Sequence, residues 1–504
     1  MDIMSDNKIK KIVIAGGGTA GWMTAAALSK VLGCTNYDVH LVESEEIGTI
    51  GVGEATIPHI QKFNQILEID ENEFMKKTQA TFKLGIEFIN WKKIGQSYIH
   101  PFGSYGEDIN AFPFHQYWLK LKSSGLASSL ESYSIATMAA RHKKFTRPLN
   151  INGSPLSDFG YAFQFDAGRY AQFLRGYAEA RGVVRTEGKI SSVELCENSG
   201  YIKSLSLVGG AVIEGDFFID CTGIRALLIE GALKTGFEDW SHWLPCNSAV
   251  AAPCEKIEEP IPYTRATAHT AGWQWRIPLQ HRTGNGHVYA SQYMSDDEAT
   301  GVLLKNLDGA VIADPRVIRF KTGRRVKFWN KNCVAIGLSS GFLEPLESTS
   351  IHLIQTAISK LINLFPSRRF MEDGAELYNK NTVFEYERIR DFLILHYKAT
   401  ERTDSDFWNY CRSMEIPEYL REKIKLYVST GRIYRENEEL FSTPSWLAVF
   451  EGQGIQAEEY HPAVDSMPLA ELAERFKAYE QVINKCIDFM PTHTRYIADN
   501  CKAE

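Results

Sequence analysis

The chain has 504 residues, 44% of them hydrophobic, and a formal charge of −7 from 55 basic and 62 acidic side chains. That length can bury a large core in roughly two to four folding units or one elaborated domain, and a globular protein is the starting expectation. No basic stripe that would neutralise a nucleic-acid backbone stands out, no run approaches the ~20 apolar residues of a membrane span, and nine cysteines without a CxxC pair speak against a disulfide framework or a zinc site. Nucleic acid, membrane and metal are therefore set aside, and a reduced cytoplasmic setting is expected.

The basic stretch from Lys8 to Lys11 is followed by Ile12-Val13-Ile14-Ala15, which runs into glycines rather than into the long apolar core of a signal peptide. Lys11 to Ala15 reads as a buried strand, Gly16-Gly17-Gly18-Thr19-Ala20-Gly21 as a turn, Trp22 to Leu32 as a helix and Val39 to Glu43 as a second strand. Gly16, Gly18 and Gly21 form GxGxxG. The first glycine permits the tight turn, the second lets backbone approach a pyrophosphate, and the third lets helix and strand pack closely, with the helix N-terminus facing the phosphates. Glu43 lies 22 residues beyond Gly21 at a strand end, where a carboxylate can bond ribose hydroxyls. This unit predicts dinucleotide binding.

Further along, Asp166 to Tyr170 begins a helix to Ala180, and Glu187 to Val193 reads as a strand. Phe217 to Asp220 is a short apolar strand ending in the Thr222-Gly223 turn, and Asn332 to Ile336 is another, ending Gly337-Leu338. Together these resemble the second and third dinucleotide-contact segments of two-domain FAD enzymes, which usually end the third strand Gly-Asp. The fold class expected is α/β: a Rossmann-type two-domain FAD flavoprotein, monooxygenase-like, with a core over 1–385. From Tyr386 onward the pattern is mostly helical, with breaks near Thr443-Pro444 and His461-Pro462, giving a substrate-covering region over 386–504. Its acidic run Glu436-Asn437-Glu438-Glu439 reads as a solvated helix face.

Four segments are more specific: Gly51-Val52-Gly53-Glu54-Ala55-Thr56-Ile57-Pro58; Lys83 within Thr81-Phe82-Lys83-Leu84; Trp273-Gln274-Trp275-Arg276-Ile277-Pro278; and Gly341-Phe342-Leu343-Glu344-Pro345-Leu346-Glu347-Ser348-Thr349-Ser350. Together they resemble the flavin-dependent tryptophan halogenases. Gly16 to Trp22 and Trp273-x-Trp275-x-Ile277-Pro278 match two signature motifs, and Phe342-x-x-Pro345-x-x-Ser348 matches a third that ends in glycine where this chain has Ser350. The resemblance implies an enzyme in which reduced FAD (FADH2), oxygen and chloride or bromide give hypohalous acid. The acid passes through a tunnel to a lysine and halogenates an aromatic ring. The lysine would be Lys83, with Glu347 as its carboxylate neighbour and general base and Ser348 orienting hydrogen bonds. A buried lysine loses basicity by desolvation, which a nearby carboxylate restores.

The same resemblance assigns halide to the backbone of Thr349 and Ser350, and cofactor contacts to Gly16, Gly17, Gly18, Thr19, Ala20, Gly21, Glu43, Ala55, Ile190, Leu338 and Ile351. It assigns the tunnel to Trp273, Trp275 and Pro278, and an indole pocket to His100, Phe102 and Trp446. Taken one at a time these residues have plainer readings. Lys83 would be a solvated lysine, Glu347 a first-turn acid, the two tryptophans a core pair, and His100 a turn residue before proline. No second nucleotide fingerprint is evident, so a separate NADH-dependent flavin reductase is the expected partner, and a homodimer is compatible with the resemblance. No clamp for the charged groups of free tryptophan can be matched within 438–462, which favours indole or an indole derivative, with free tryptophan next. The competing class is a flavin-dependent aromatic monooxygenase, which hydroxylates the ring directly and has no use for Lys83 and Glu347 together.

Overall fold

A computed structural model describes residues 8–47, 53–157, 159–256, 259–367 and 371–503. Gly51 and Val52 of the 51–58 segment lie outside these residues. The chain divides into two compact units, each built from three stretches: 1–80, 165–242 and 319–386 in the first, and 81–164, 243–318 and 387–504 in the second. The expected core over 1–385 is thus cut differently, because the 81–164 and 243–318 stretches cluster with the C-terminal helices.

The first unit is organised by a six-stranded sheet in the order Trp329–Asn330, Cys333–Ala335, Phe217–Asp220, Lys11–Ala15, Asp38–Glu43, Val184–Glu187. All pairings are parallel except that of Trp329–Asn330 with Cys333–Ala335. A parallel sheet is covered on both faces and therefore reads as continuous apolar sequence. Ile12, Val13, Ile14 and Ala15 are all buried, as are Phe217, Phe218 and Ile219. Val13, Ala15, Val42, Phe218, Cys333 and Ala335 join one core cluster with residues of the neighbouring three-stranded sheet, among them Leu205 and Leu207. The helix Thr19–Val31 is built largely of alanine and other small residues, and nine of its residues are buried.

Two boundaries differ from expectation. The first helix begins at Thr19 rather than Trp22, because Gly18 already takes the extended N-cap conformation. The strand expected over Glu187 to Val193 is two strands, Val184–Glu187 in the large sheet and Ile190–Leu195 in the three-stranded one. The break falls where the Gly188 amide donates to the Glu43 carbonyl at 2.7 Å and a Cβ would press on Leu207.

The second unit carries a larger sheet running through Ser248–Ala251, Arg282–Tyr289, Gly272–Pro278, Thr264–His269, Gly85–Ile89 and Ser97–Pro101. Its pairings are antiparallel except Thr264–His269 with Gly85–Ile89. Its helices include Phe114–Ser123, Ile135–Arg141, Asp296–Lys305, Asp406–Ser413, Glu418–Thr430, Thr443–Gly452, Leu469–Phe489 and His493–Asn500. The acidic run 436–439 is a loop rather than a helix face, and Glu439 is buried. All nine cysteines are free thiols. Among the described residues no helix is long and apolar enough to cross a membrane.

Candidate active site

In the first unit, the glycine turn is shaped by close approach. A Cβ at Gly16 would lie 2.3 Å from the Cys221 carbonyl oxygen, and one at Gly17 would lie 1.6 Å from Glu43 Oε2. Only backbone fits between the strand end and the Glu43 carboxylate. Glu43 keeps its other oxygen 2.6 Å from Arg185 Nε, so its direction is fixed while one oxygen remains over the turn. The Thr19–Val31 helix has no side-chain cap at Gly18, which leaves its first amides free to meet phosphate oxygens. These features fit a dinucleotide such as FAD. Ala20 lies against the Gly337 turn, Leu338 is half-buried just beyond it, and Ala55 is buried on its short strand. Ile190 is half-buried and packs on the core cluster.

The segment after the Cys333–Ala335 strand enters a one-turn 3₁₀ helix, Pro345–Glu347, and then the helix Ser350–Asn363. Ser348 links them in the left-handed region with φ 59°, at a cost of about 1 kcal/mol for a residue with a Cβ. Ser350, standing where the family has glycine, is the first residue of a regular helix and needs no unusual dihedral. Glu347 is 1% exposed. Its placement on the 3₁₀ turn differs from a solvated first-turn acid. Thr349 caps the Ser350–Asn363 helix without a side-chain bond, and its fully buried hydroxyl has no partner among the described residues. Such a hydroxyl left unsatisfied costs about 1–3 kcal/mol, so it and the uncapped amides suit an anion. Ile351 is buried in the first turn of the same helix.

A charged cluster follows one turn later, and the sequence reading did not single it out. His352 Nε2 lies 3.2 Å from Glu385 Oε1, Lys360 Nζ lies 2.5 Å from Glu385 Oε2, and the His59 ring packs edge-on to His352 at 4.7 Å. Burial pushes the Glu385 carboxyl up, but the His352 hydrogen bond and the Lys360 charge outweigh it and hold the group at about 2. Burial beside His352 holds His59 down at about 4. Glu54, in the Gly53–Ala55 strand, is pushed up to about 7 by burial. Of these groups only Glu54 lies within a segment noted in the sequence; His59, His352, Lys360 and Glu385 fall outside all of them.

In the second unit Lys83 is fully buried, not a solvated lysine, and its Nζ stands 5.1 Å above the Phe102 ring centroid. Its strand, Thr81–Lys83, is held on every side. Phe82 and Lys83 pair with Phe163 and Ala162. The Thr81 hydroxyl donates to the Pro278 carbonyl at 2.7 Å and accepts from Gln164 Nε2 at 3.1 Å, while Gln164 Oε1 accepts from Thr264 at 3.0 Å. This chain ties the lysine strand to the Gly272–Pro278 strand. The Phe82 ring stacks on Phe145 at 3.9 Å.

The Phe82 amide donates to His493 Nε2 at 3.2 Å, and His493 Nδ1 lies 2.7 Å from the Pro260 carbonyl. An accepting Nε2 and a donating Nδ1–H require one neutral tautomer. Burial, partly opposed by the Pro260 bond, holds this histidine down at about 4, which agrees. His493 is 411 residues from Phe82 in sequence, and nothing in the primary structure marked it.

Trp273 and Trp275 share a face, with ring centroids 6.2 Å apart, and both are buried. Trp275 occupies the place a side chain at Gly286 would take, 2.0 Å from a Cβ there. His100 lies in the edge strand Ser97–Pro101 rather than in a turn, two residues before Phe102. Its ring is 5.7 Å from Phe392 and 6.3 Å from Phe441, which stack on each other at 3.8 Å, and Phe392 meets Trp446 edge-on at 4.9 Å. The structure therefore connects His100 to Trp446 through two phenylalanines that sequence reasoning missed. Lys83, Phe102, His100, Trp446, Trp273, Trp275 and Pro278 belong to the second unit. Glu347, Ser348, Thr349 and Ser350 belong to the first, with the residues expected to contact the cofactor.

A sheet carrying a glycine turn, a buried lysine over an aromatic ring and a Trp-x-Trp strand define the flavin-dependent halogenase class. The tryptophan halogenase family model matches residues 11–469. The flavin-dependent halogenase Xcc4156 from Xanthomonas campestris is 47% identical with a TM-score of 0.95, covering 99% of each chain. BrvH, a flavin-dependent halogenase from Brevundimonas sp. BAL3, is likewise 47% identical at TM-score 0.95, covering 98% of this chain and all of its own. The 7-chloro-L-tryptophan 6-halogenase KtzR of Kutzneria sp. (strain 744) is 36% identical over 97% of this chain and 99% of its own. The chain belongs to the tryptophan halogenase family and is an enzyme that halogenates rather than hydroxylates.

Proposed function

We propose that this enzyme places chlorine or bromine on an indole-type arene, with indole or a simple indole derivative preferred to free tryptophan. Gly16 to Gly21, Glu43, Ala55, Ile190, Leu338 and Ile351 would hold FAD, which when bound in its reduced form would supply hypohalous acid from oxygen and halide. A separate NADH-dependent flavin reductase delivers the FADH2. Thr349 and Ser350 hold the halide through their amides, an anion site made of main-chain dipoles.

Trp273, Trp275 and Pro278 give an apolar wall to the passage that carries the acid to Lys83. There the ammonium donates a hydrogen bond to hypohalous acid, or the neutral amine takes the halogen as a haloamine and releases water. Either way the electrophile is held near one ring carbon, and rate and regioselectivity come from positioning. The arene lies among Phe102, His100 and Trp446. Once the ring has attacked the halogen, Glu347 removes the proton from the ring carbon that now carries it, with Ser348 orienting the carboxylate.

The observation that carries this reading is the fully buried Lys83, its Nζ 5.1 Å from the Phe102 ring centroid. The test is mass spectrometry of an aromatic panel supplied with reductase, FAD, NADH and bromide. A bromine isotope doublet, larger on indole than on tryptophan, is expected; a larger yield from tryptophan overturns the substrate preference.

A further inference from the structure

The 435–441 loop wraps round one buried ion pair. Glu439, 3% exposed, receives Lys423 Nζ at 2.9 and 3.0 Å, the Tyr419 hydroxyl, and the Glu436 amide at 2.5 Å. Its carbonyl accepts from Arg435 Nη2 at 2.6 Å. Lys423, 4% exposed on the Glu418–Thr430 helix, also stands 4.1 Å over the Trp446 ring, in cation–π range. From Trp446 the contacts run through Phe392 and Phe441 to His100, so the ion pair lies directly behind the aromatic wall. Trp446 is fully buried, and its Nε1–H has no partner among the described residues.

A buried pair of this kind adds little net stability over apolar residues of similar size, whereas removing one partner leaves a costly lone charge. Burial lowers the Lys423 pKa, the Glu439 hydrogen bond and charge oppose it, and the nearby Arg388 and Arg435 charges add to the lowering, so that the net shift is downward. Lys423 and Glu439 meet each other's charge at 2.9 and 3.0 Å, with the Tyr419 hydroxyl and the Glu436 amide completing the carboxylate's partners.

We propose that Lys423 and Glu439 are positioning residues that fix Trp446 and, by neutralising each other behind the wall, make the pocket select uncharged indoles over indoles bearing a carboxylate or an ammonium. This rests on the indole-site reading above. Glu439→Gln leaves a buried ammonium beside Trp446, Lys423→Met leaves a buried carboxylate, and the double variant Lys423→Met/Glu439→Leu leaves neither.

The experiment measures kcat and KM for indole, indole-3-acetate and tryptamine with the full-length variants, alongside thermal unfolding. Glu439→Gln should raise KM for indole about tenfold and lower it for indole-3-acetate about tenfold, Lys423→Met should do the same in favour of tryptamine, and the double variant should return toward wild-type ranking. kcat should stay within about threefold, since Lys83 is untouched. If every folded variant, the double included, keeps the wild-type ranking of the three arenes, the proposal is overturned while the indole reading stands. If the wild-type enzyme brominates none of them, both fall together.

Discussion

The two units use their sequence differently. In the first, the glycine turn is made of backbone: the space over Gly17 belongs to Glu43, and the uncapped helix at Gly18 offers amides. In the second, the site is made of side chains brought from far apart, with Lys83, Phe102, Phe392, Phe441 and Trp446 arriving from separate stretches. Backbone sites compress into short motifs because each glycine is required at a fixed offset. Side-chain sites do not, since any segment that reaches the place will serve.

Changes on the backbone side should be severe and confined to cofactor. Gly17→Val would drive a branched side chain into the Glu43 carboxylate, and FAD affinity, read by flavin fluorescence, should fall on the order of a hundredfold. Unchanged affinity would break the comparison. Glu347→Gln should leave FAD binding alone and lower kcat for arene halogenation about 10²-fold, the loss expected of a general base. An equal loss in FAD affinity would put Glu347 on the cofactor side instead.

A smaller effect sharpens the side-chain unit. His493 must stay neutral to accept from the Phe82 amide, and its folded pKa of about 4 lies below the ordinary 6.5. Its contribution is complete above about pH 6.5 and is lost as the pH falls to about 4, because the unfolded chain takes up the proton first. His493→Gln should cost about 1–2 kcal/mol at pH 7.5, and the deficit in chemical denaturation should narrow toward pH 4.5. A deficit that stays constant with pH would contradict the neutral tautomer. Ser350→Gly should change kcat less than about twofold, because the position is ordinary helix already.

The nucleotide strands, the Thr222-Gly223 turn and the Trp-x-Trp strand were legible because periodicity and glycine spacing are local. What was not legible was long-range or disguised. His493 supports the lysine strand from 411 residues away. Phe392 and Phe441 looked like any core aromatics, and Glu439 sat in an acidic run that reads as solvated until Lys423 is placed beside it. Ser350 departs from the family's glycine, a difference that could not be weighed without dihedrals; Ser348 carries the left-handed turn instead.

Lys83→Ala tests the central claim most directly when two products are followed at once with reductase, FAD, NADH and bromide: bromoindole by mass spectrometry and free hypobromous acid by a chemical trap. The account predicts that bromoindole falls by at least about 10²-fold while trapped hypobromous acid is undiminished. Bromoindole formed at the wild-type rate would contradict it.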